Sequence, residues 1–199
     1  MFPAKSTSRR AGRARLRCLV WIVEDADGDP VREESDLAGR VGVVLIRTQR
    51  IEFAQSFLDG VKDASSHIEA TAASCPKTRI VLGGYSQGAA VAAGASSASV
   101  PAGVPAEYLS FMPKPMPPEI ANHVAAVTLF GKPSPQWLQN YGAPLIVVGP
   151  LYAPKTDDLC ADGDTICNGD PGGLPSLAHS SYPVNGMVGQ AAGFAASHL

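Results

Sequence analysis

The sequence predicts an α/β fold in which helices cover both faces of a mostly parallel sheet, giving three layers. Three observations lead to this prediction. Apolar runs typical of buried strands alternate with helical patterns along the chain. One serine lies between such a run and an Ala-rich helical stretch, which indicates a strand–turn–helix unit. At 199 residues the chain also has the size of one domain, and no internal repeat or linker divides it.

The N-terminal region is uneven in charge. Residues 1–17 carry six Lys or Arg and no acid, whereas residues 24–36 carry seven Asp or Glu and one Arg. We expect 1–17 to be a disordered or vestigial segment and 18–199 to form a single domain. The apolar run 18–23 is a candidate first strand, but it is shorter than the ~7–15 apolar residues of a secretory signal. No run approaches the ~18–20 apolar residues of a membrane span, so we expect no stable membrane insertion.

The next elements follow from apolar patterns. The run 41–46 fits either a strand or a buried helix. A helix from about residue 59 ends before Pro76, because proline disfavours the α conformation of the preceding residue. Its apolar face consists of Val61, Ala64, Ile68 and Ala72. Strands are predicted at 79–83 and 124–130, with another apolar run at 144–148 and an exposed apolar loop over 99–118. The last helix has a predicted apolar stripe made of Val184, Met187, Val188, Ala191 and Ala195.

The stretch Gly84–Gly88 has the spacing G-x-S-x-G, and it joins strand 79–83 to an Ala-rich helix. Its two glycines let strand and helix approach closely, which holds the central Ser86 in a strained, exposed conformation. A serine hydroxyl is a weak nucleophile at neutral pH, so Ser86 needs a histidine base and a carboxylate that orients it. In this kind of site the chain order is Ser, acid, His.

Of the four histidines, His179 is the predicted base, because it follows the serine in a turn-rich loop before the last helix. His67 precedes Ser86 and lies on the polar side of a helix. His123 lies at a strand start, and His198 at the C-terminus. None of these three fits the required order and loop position.

Asp164 is the predicted carboxylate, because it lies in the short loop between Cys160 and Cys167, which a disulfide would hold in one shape. Spacing alone leaves four other acids open, namely Asp157, Asp158, Asp162 and Asp170. The even count of four cysteines fits two disulfides in an oxidising compartment. A zinc site would need shorter Cys spacing and further Cys or His nearby, so we expect no metal. The net charge of −2 gives no reason to expect nucleic acid as a partner.

These residues resemble the cutinases, and most of all the cutinase-like proteins of actinobacteria. The matching motifs are Gly83–Gly88, the Cys-x₃-Asp-x₂-Cys loop 160–167, His179-x-x-Tyr182, and the stretches 75–78 and 129–133; they cover roughly residues 53–199. The resemblance implies a small α/β-hydrolase without a large lid, monomeric, free of cofactors, and secreted or located on the cell surface. It would hydrolyse short to medium acyl esters, lipids or polyesters through an acyl-enzyme.

The resemblance assigns the predicted site. It implies Ser86, Asp164 and His179 as the catalytic triad, the Cys160–Cys167 disulfide, and a second disulfide between Cys75 and Cys18. The apolar loops 104–116 and 174–177 would form a shallow rim that accepts the acyl chain.

The front of the chain departs from the family pattern. Cutinases supply half of the oxyanion hole from a Thr or Ser after their first strand, and the other half from the backbone N–H after the nucleophile, here that of Gln87. The nearest match places Asp29 at the first position, so the second donor is not identified. Beyond Arg47 one family strand has no counterpart before residue 53, so we expect a lost N-terminal strand or a misassigned start. The alternative function is therefore that of a truncated, catalytically impaired relative acting as a non-enzymatic secreted or surface protein.

Overall fold

The computed structural model describes residues 42–44, 53–101, 104, 106–141, 143–170 and 174–199. In this part of the chain four strands form one sheet in the order β1-β2-β3-β4, and every neighbouring pair is parallel. The strands are Gly42–Val44 (β1), Ile80–Tyr85 (β2), Val124–Phe130 (β3) and Thr156–Leu159 (β4). The α-helices are Phe53–Ser74 (α1), Gln87–Ala95 (α2), Pro135–Asn140 (α3) and Met187–Ser197 (α4). Short 3-10 helices span Ala106–Phe111, Pro118–Asn122, Ala153–Lys155 and Leu177–Ser180.

Helices cover the sheet from two sides, which confirms the predicted three-layer architecture. Helix α1 packs on α2, α2 packs against β2 and β3, and α4 packs against β3 and β4. In β2, Ile80 and Leu82 join the core beneath α1 and α2, whereas Val81 packs with Ala126 and Ala195 beneath α4. Successive side chains of a strand point to opposite faces, so a continuous apolar run is what a sheet covered on both faces requires.

The predicted apolar face of α1 is confirmed, since Val61, Ala64, Ile68 and Ala72 are all buried. The helix begins at Phe53, earlier than predicted, and Phe57 extends the same face by one more turn. Burying a side chain the size of Val or Ile stabilises the fold by about 1.5–3 kcal/mol, so this stripe is what attaches α1 to the domain.

The second half of the chain contains a strand that the apolar patterns did not predict. The run 144–148 forms no regular strand, and Val147 in it is 70% exposed. The fourth strand is instead Thr156–Leu159, which is polar and pairs only with β3 among the described strands. A strand at the edge of a sheet does not need two apolar faces, and its sequence therefore lacked the signal used to find the others.

The predicted stripe of the last helix is only partly correct. Helix α4 begins at Met187, so Val184 lies outside it and is exposed, and Val188 is half exposed. Ala191 and Ala195 are buried, and Ala195 packs with Phe194 on Val81 and Ala126 of the sheet. Small alanines were a weaker signal than the valines, but they let the helix lie close to the strands.

The loop prediction for 99–118 is confirmed at Leu109 and Phe111, which are exposed, but not at Met116, which is buried. The ambiguous run 41–46 contains β1. The candidate strand 18–23, the segment around Asp29 and the expected loss of an N-terminal strand lie outside the described residues. Over the described ranges, no helix combines the length and the apolar character that crossing a membrane requires.

Candidate active site

The candidate site lies where β2, β3 and β4 end, at one edge of the sheet. Ser86 directly follows β2, Gly131 directly follows β3, and the loop that carries Asp164 follows β4. Because parallel strands place their carboxyl ends at the same edge, three segments distant in the sequence meet there.

Ser86 has the strained backbone that the G-x-S-x-G spacing predicts. Its φ of 55° lies in the left-handed region, where it is the one non-glycine among the described residues. A Cβ on Gly84 would lie 2.2 Å from the carbonyl oxygen of Gly88, so the strand and helix can come this close only with glycine at that position. The Ser86 amide donates to the Phe130 carbonyl at 2.8 Å, which fixes the turn to β3. Such a backbone costs about 1–3 kcal/mol, which the surrounding contacts offset.

Asp164 is fully buried inside the loop closed by the Cys160–Cys167 disulfide, which is present as predicted. Its Oδ1 accepts the Ile166 amide at 2.9 Å, and its Oδ2 accepts the Tyr182 hydroxyl at 2.7 Å. The carboxylate is therefore held by groups on both sides, as a buried charge must be.

His179 connects this carboxylate to the serine. Its Nδ1 lies 2.9 Å from each oxygen of Asp164, and its Nε2 lies 2.9 Å from Ser86 Oγ. Since a carboxylate can only accept, Nδ1 carries the proton and Nε2 is left as the acceptor for the serine hydroxyl. This arrangement can take the proton from Ser86 Oγ when the oxygen attacks an acyl carbon.

The electrostatics keep Asp164 ionised. Burial by itself would raise the pKa of the Asp164 carboxyl, but hydrogen bonds from Tyr182, His179 and Ile166 outweigh it and hold that pKa below its usual range. The carboxylate therefore stays charged at neutral pH, where it can stabilise a positive charge on the imidazole.

Three further residues complete the site, and the sequence analysis gave them no role. A Cβ on Gly131, which has a φ of 57°, would lie 2.9 Å from Asp164 Oδ2 and 3.1 Å from His179 Nδ1. Tyr85 donates to the His179 carbonyl at 2.7 Å, and its ring lies 4.9 Å from the imidazole. Tyr182 was noticed only as part of a motif. Their positions in the sequence could have pointed to them. Tyr85 and Gly131 lie just after predicted strands, and Tyr182 lies three residues after His179.

The other candidate histidines and acids take no part in the contacts that join Asp164, His179 and Ser86. His67 is exposed on α1 beside Asp63, His123 follows the 3-10 helix Pro118–Asn122, and His198 packs on Phe194 at the end of α4. Of the four acids left open by spacing, Asp157 and Asp158 lie on β4, and Asp162 and Asp170 are exposed.

The cysteines offer no metal site in the described structure. The ligand atoms of Cys160, Asp164 and Cys167 lie within 4.8 Å of one another, but the disulfide uses both sulfurs and so leaves no thiolate. Cys75 is also disulfide-bonded. Its predicted partner, Cys18, lies outside the described residues, so that pairing stays a prediction.

Comparison with known proteins identifies the family. The sequence model of the cutinase family matches residues 40–199. The chain belongs to the cutinase family. It is 62% identical over 148 residues to "Probable carboxylesterase Culp7" of Mycobacterium tuberculosis, covering 74% of this chain and 76% of that protein. It is 53% identical over 140 residues to "Probable carboxylesterase Culp5" of the same species, covering 70% and 76%.

Solved structures agree with the fold. The catalytic core domain of acetyl xylan esterase from Trichoderma reesei superposes with a TM-score of 0.55 at 27% identity, covering 75% of this chain and 74% of that one. The fold is therefore of the α/β-hydrolase type, and the protein is a cutinase-type ester hydrolase.

Proposed function

We propose that Ser86, Asp164 and His179 are the catalytic triad of this ester hydrolase, with Ser86 as nucleophile. The observation that carries the proposal is the continuous chain of contacts from Asp164 through His179 to Ser86 Oγ, each 2.9 Å long. Family membership by itself assigns the activity but not the residues. The strained backbone at Ser86 and the burial of the two partners are what a working triad requires.

The reaction then has two halves. Ser86 Oγ attacks the acyl carbon while His179 Nε2 takes its proton, and the resulting imidazolium protonates the departing alcohol to leave an acyl-enzyme. In the second half His179 takes a proton from water as the water oxygen attacks the acyl carbon, and the imidazolium then returns that proton to Ser86 Oγ as the acyl–Oγ bond breaks and the acid leaves. Asp164 remains a carboxylate throughout and stabilises the imidazolium.

The backbone N–H of Gln87 is the proposed donor to the oxyanion. Gln87 is the first residue of α2, where amides and the positive end of the helix dipole face the strand ends. One missing donor typically lowers kcat by about 10²–10³, so a chain with Gln87 alone would be a slow enzyme. The second donor has no assigned residue, and Asp29, the nearest sequence match, lies outside the described residues.

The acyl group of the substrate is proposed to contact an apolar rim beside the base. Leu174 is 69% exposed and Leu177 is 94% exposed, and both precede His179 in the same segment. Exposed leucines in the segment that carries the base favour acyl chains longer than acetyl, because each buried methylene contributes about 0.8 kcal/mol. We therefore expect short to medium acyl esters as substrates.

The remaining expectations belong to the same proposal. We propose a single domain over residues 18–199 that acts as a monomer on small-molecule or lipid esters, with no nucleic-acid partner. A secreted or cell-surface location is supported by the disulfides at Cys160–Cys167 and at Cys75, since disulfides persist in oxidising compartments.

A chain-length series of p-nitrophenyl esters, from acetate to palmitate, tests the substrate proposal. We expect kcat/KM to be highest for short to medium chains and to disappear in Ser86→Ala. Leu177→Ser should lower kcat/KM for octanoate a few-fold more than for acetate. The matched control is Val147→Ser, an exposed apolar residue near the far end of α2. A folded wild type without turnover of any ester would favour the impaired, non-enzymatic alternative.

A further inference from the structure

Tyr182 makes contacts that the three proposed catalytic residues do not account for. Its side chain is buried, and its hydroxyl donates a 2.7 Å hydrogen bond to Asp164 Oδ2. The Tyr182 hydroxyl oxygen in turn accepts the Ala161 amide at 3.0 Å. Since the amide proton occupies one lone pair, the phenolic proton is directed at the carboxylate. A hydroxyl that donates to an anion makes one of the stronger hydrogen bonds in proteins.

We propose that Tyr182 is a positioning residue for ester hydrolysis, fixing the Asp164 carboxylate and, through it, the His179 tautomer that accepts the Ser86 proton. The proposal rests on the roles proposed above for those three residues.

The two carboxylate oxygens of Asp164 show why the hydroxyl is needed. Both lie 2.9 Å from His179 Nδ1, so the imidazole by itself does not select one orientation. Oδ1 is held by the Ile166 amide. Oδ2 is held by Tyr182, and without that hydroxyl it would be a buried anionic oxygen that, in the described structure, keeps only its hydrogen bond to the imidazole.

Tyr182 is suited to remain a donor. Burial, and next the hydrogen bond to Asp164, raise the pKa of the Tyr182 phenol well above its usual value. It therefore stays protonated across the range in which the esterase would work. Among the residues that the structure describes, Tyr85 at the end of β2 also faces the pair, and it donates to the His179 carbonyl instead of the carboxylate.

The effect should reach the proton uptake of the pair. A donor to Asp164 stabilises the unprotonated, anionic pair more than the protonated one, because the imidazolium partly neutralises the carboxylate. The acid limb of the kcat/KM profile reports protonation of the Asp164–His179 pair as a unit. Removing the hydroxyl should therefore move that limb to higher pH.

The test is Tyr182→Phe, assayed with p-nitrophenyl butyrate across pH. We expect kcat to fall about 10-fold with little change in KM, and the acid limb to move to higher pH. The matched control is Tyr152→Phe, which removes a buried hydroxyl that has no hydrogen-bond partner in the described structure. That variant should keep the wild-type kcat and pH profile.

Tyr182→Phe also removes the acceptor of the Ala161 amide, so a second variant covers a failure to fold. Placing 3-fluorotyrosine at position 182 keeps the hydroxyl and makes it a stronger donor, which should move the acid limb to lower pH. A folded Tyr182→Phe with wild-type kcat and an unmoved acid limb overturns the proposal, as does an unmoved limb with 3-fluorotyrosine. A folded wild type that neither hydrolyses the ester nor takes up a fluorophosphonate at Ser86 would overturn the triad as well, so the two failures are distinguishable.

Discussion

Ser86 and the Asp164–His179 pair are held in place by different kinds of contact. Ser86 is positioned by the backbone, through a φ of 55° and the close approach of Gly84 to Gly88. The pair joins two segments, and Asp164 is held by the disulfide-closed loop with its Ile166 amide and by Tyr182 from the segment of His179. The nucleophile is thus set by local sequence, whereas its partners depend on long-range packing. Changes to the two regions should therefore fail in different ways.

The largest effect on kcat is expected from a substitution of Asp164, which removes the carboxylate that holds His179. Asp164→Asn keeps the size of the side chain but no longer holds Nδ1 protonated, so His179 loses the tautomer that accepts the Ser86 proton. We expect kcat to fall by about 10⁴, or about 5.5 kcal/mol in activation free energy.

The control for this variant lies on the same loop. Asp162→Asn changes an exposed acid two residues away and should leave kcat unchanged. Both are measured with p-nitrophenyl butyrate against a Ser86→Ala blank. If kcat of Asp164→Asn fell by less than tenfold, the role assigned to Asp164 would be contradicted.

Changes to the backbone around Ser86 should act by lowering the stability of the fold. In Gly84→Ala the new Cβ would lie 2.2 Å from the Gly88 carbonyl oxygen, so β2 and α2 must separate. We expect the free energy of unfolding, measured by urea titration, to fall by about 3 kcal/mol. Gly193→Ala, in α4, meets open space and should instead gain up to about 1 kcal/mol. Equal unfolding midpoints for the two variants would show that the turn Gly84–Gly88 is not sterically constrained.

A smaller effect is expected from the disulfide that closes the Asp164 loop. Replacing Cys160 and Cys167 together by serine opens a loop of eight residues, which on the loop-entropy account costs about 2.5 kcal/mol of unfolding free energy. The double variant leaves the Cys75 disulfide intact, unlike treatment with a reductant. We expect a lower thermal midpoint and a lower kcat. An unchanged kcat would mean that Tyr182 and Ile166 hold Asp164 without the disulfide.

The difference between local and long-range contacts also explains which features could be predicted from the sequence. The turn Gly84–Gly88 and the apolar strand Val124–Phe130 were predictable, because the sequence signal for each lies within a few residues. The strand Thr156–Leu159 was not, because it is polar and has no apolar run that would mark it as a strand. The closeness of Gly131 to Asp164 and His179 could not be read either, since it arises where β3 and the β4 loop meet in space.

The contact of Tyr182 with Asp164 lies between these cases. The His179-x-x-Tyr182 spacing was visible, but which oxygen the phenol meets depends on the path of the Cys160–Cys167 loop. The sequence spacing therefore pointed to Tyr182 but not to its role. The role can be proposed only from its contact with Asp164 in the structure.

The most direct test of the central claim is stoichiometric labelling of the folded protein with a fluorophosphonate, followed by intact mass and peptide mapping. A serine made nucleophilic by His179 should take up one equivalent of probe at Ser86, and Ser86→Ala should take up none. We expect Asp164→Asn to label far more slowly than wild type. A folded wild type that takes up no probe, or takes it up elsewhere than Ser86, would contradict the account.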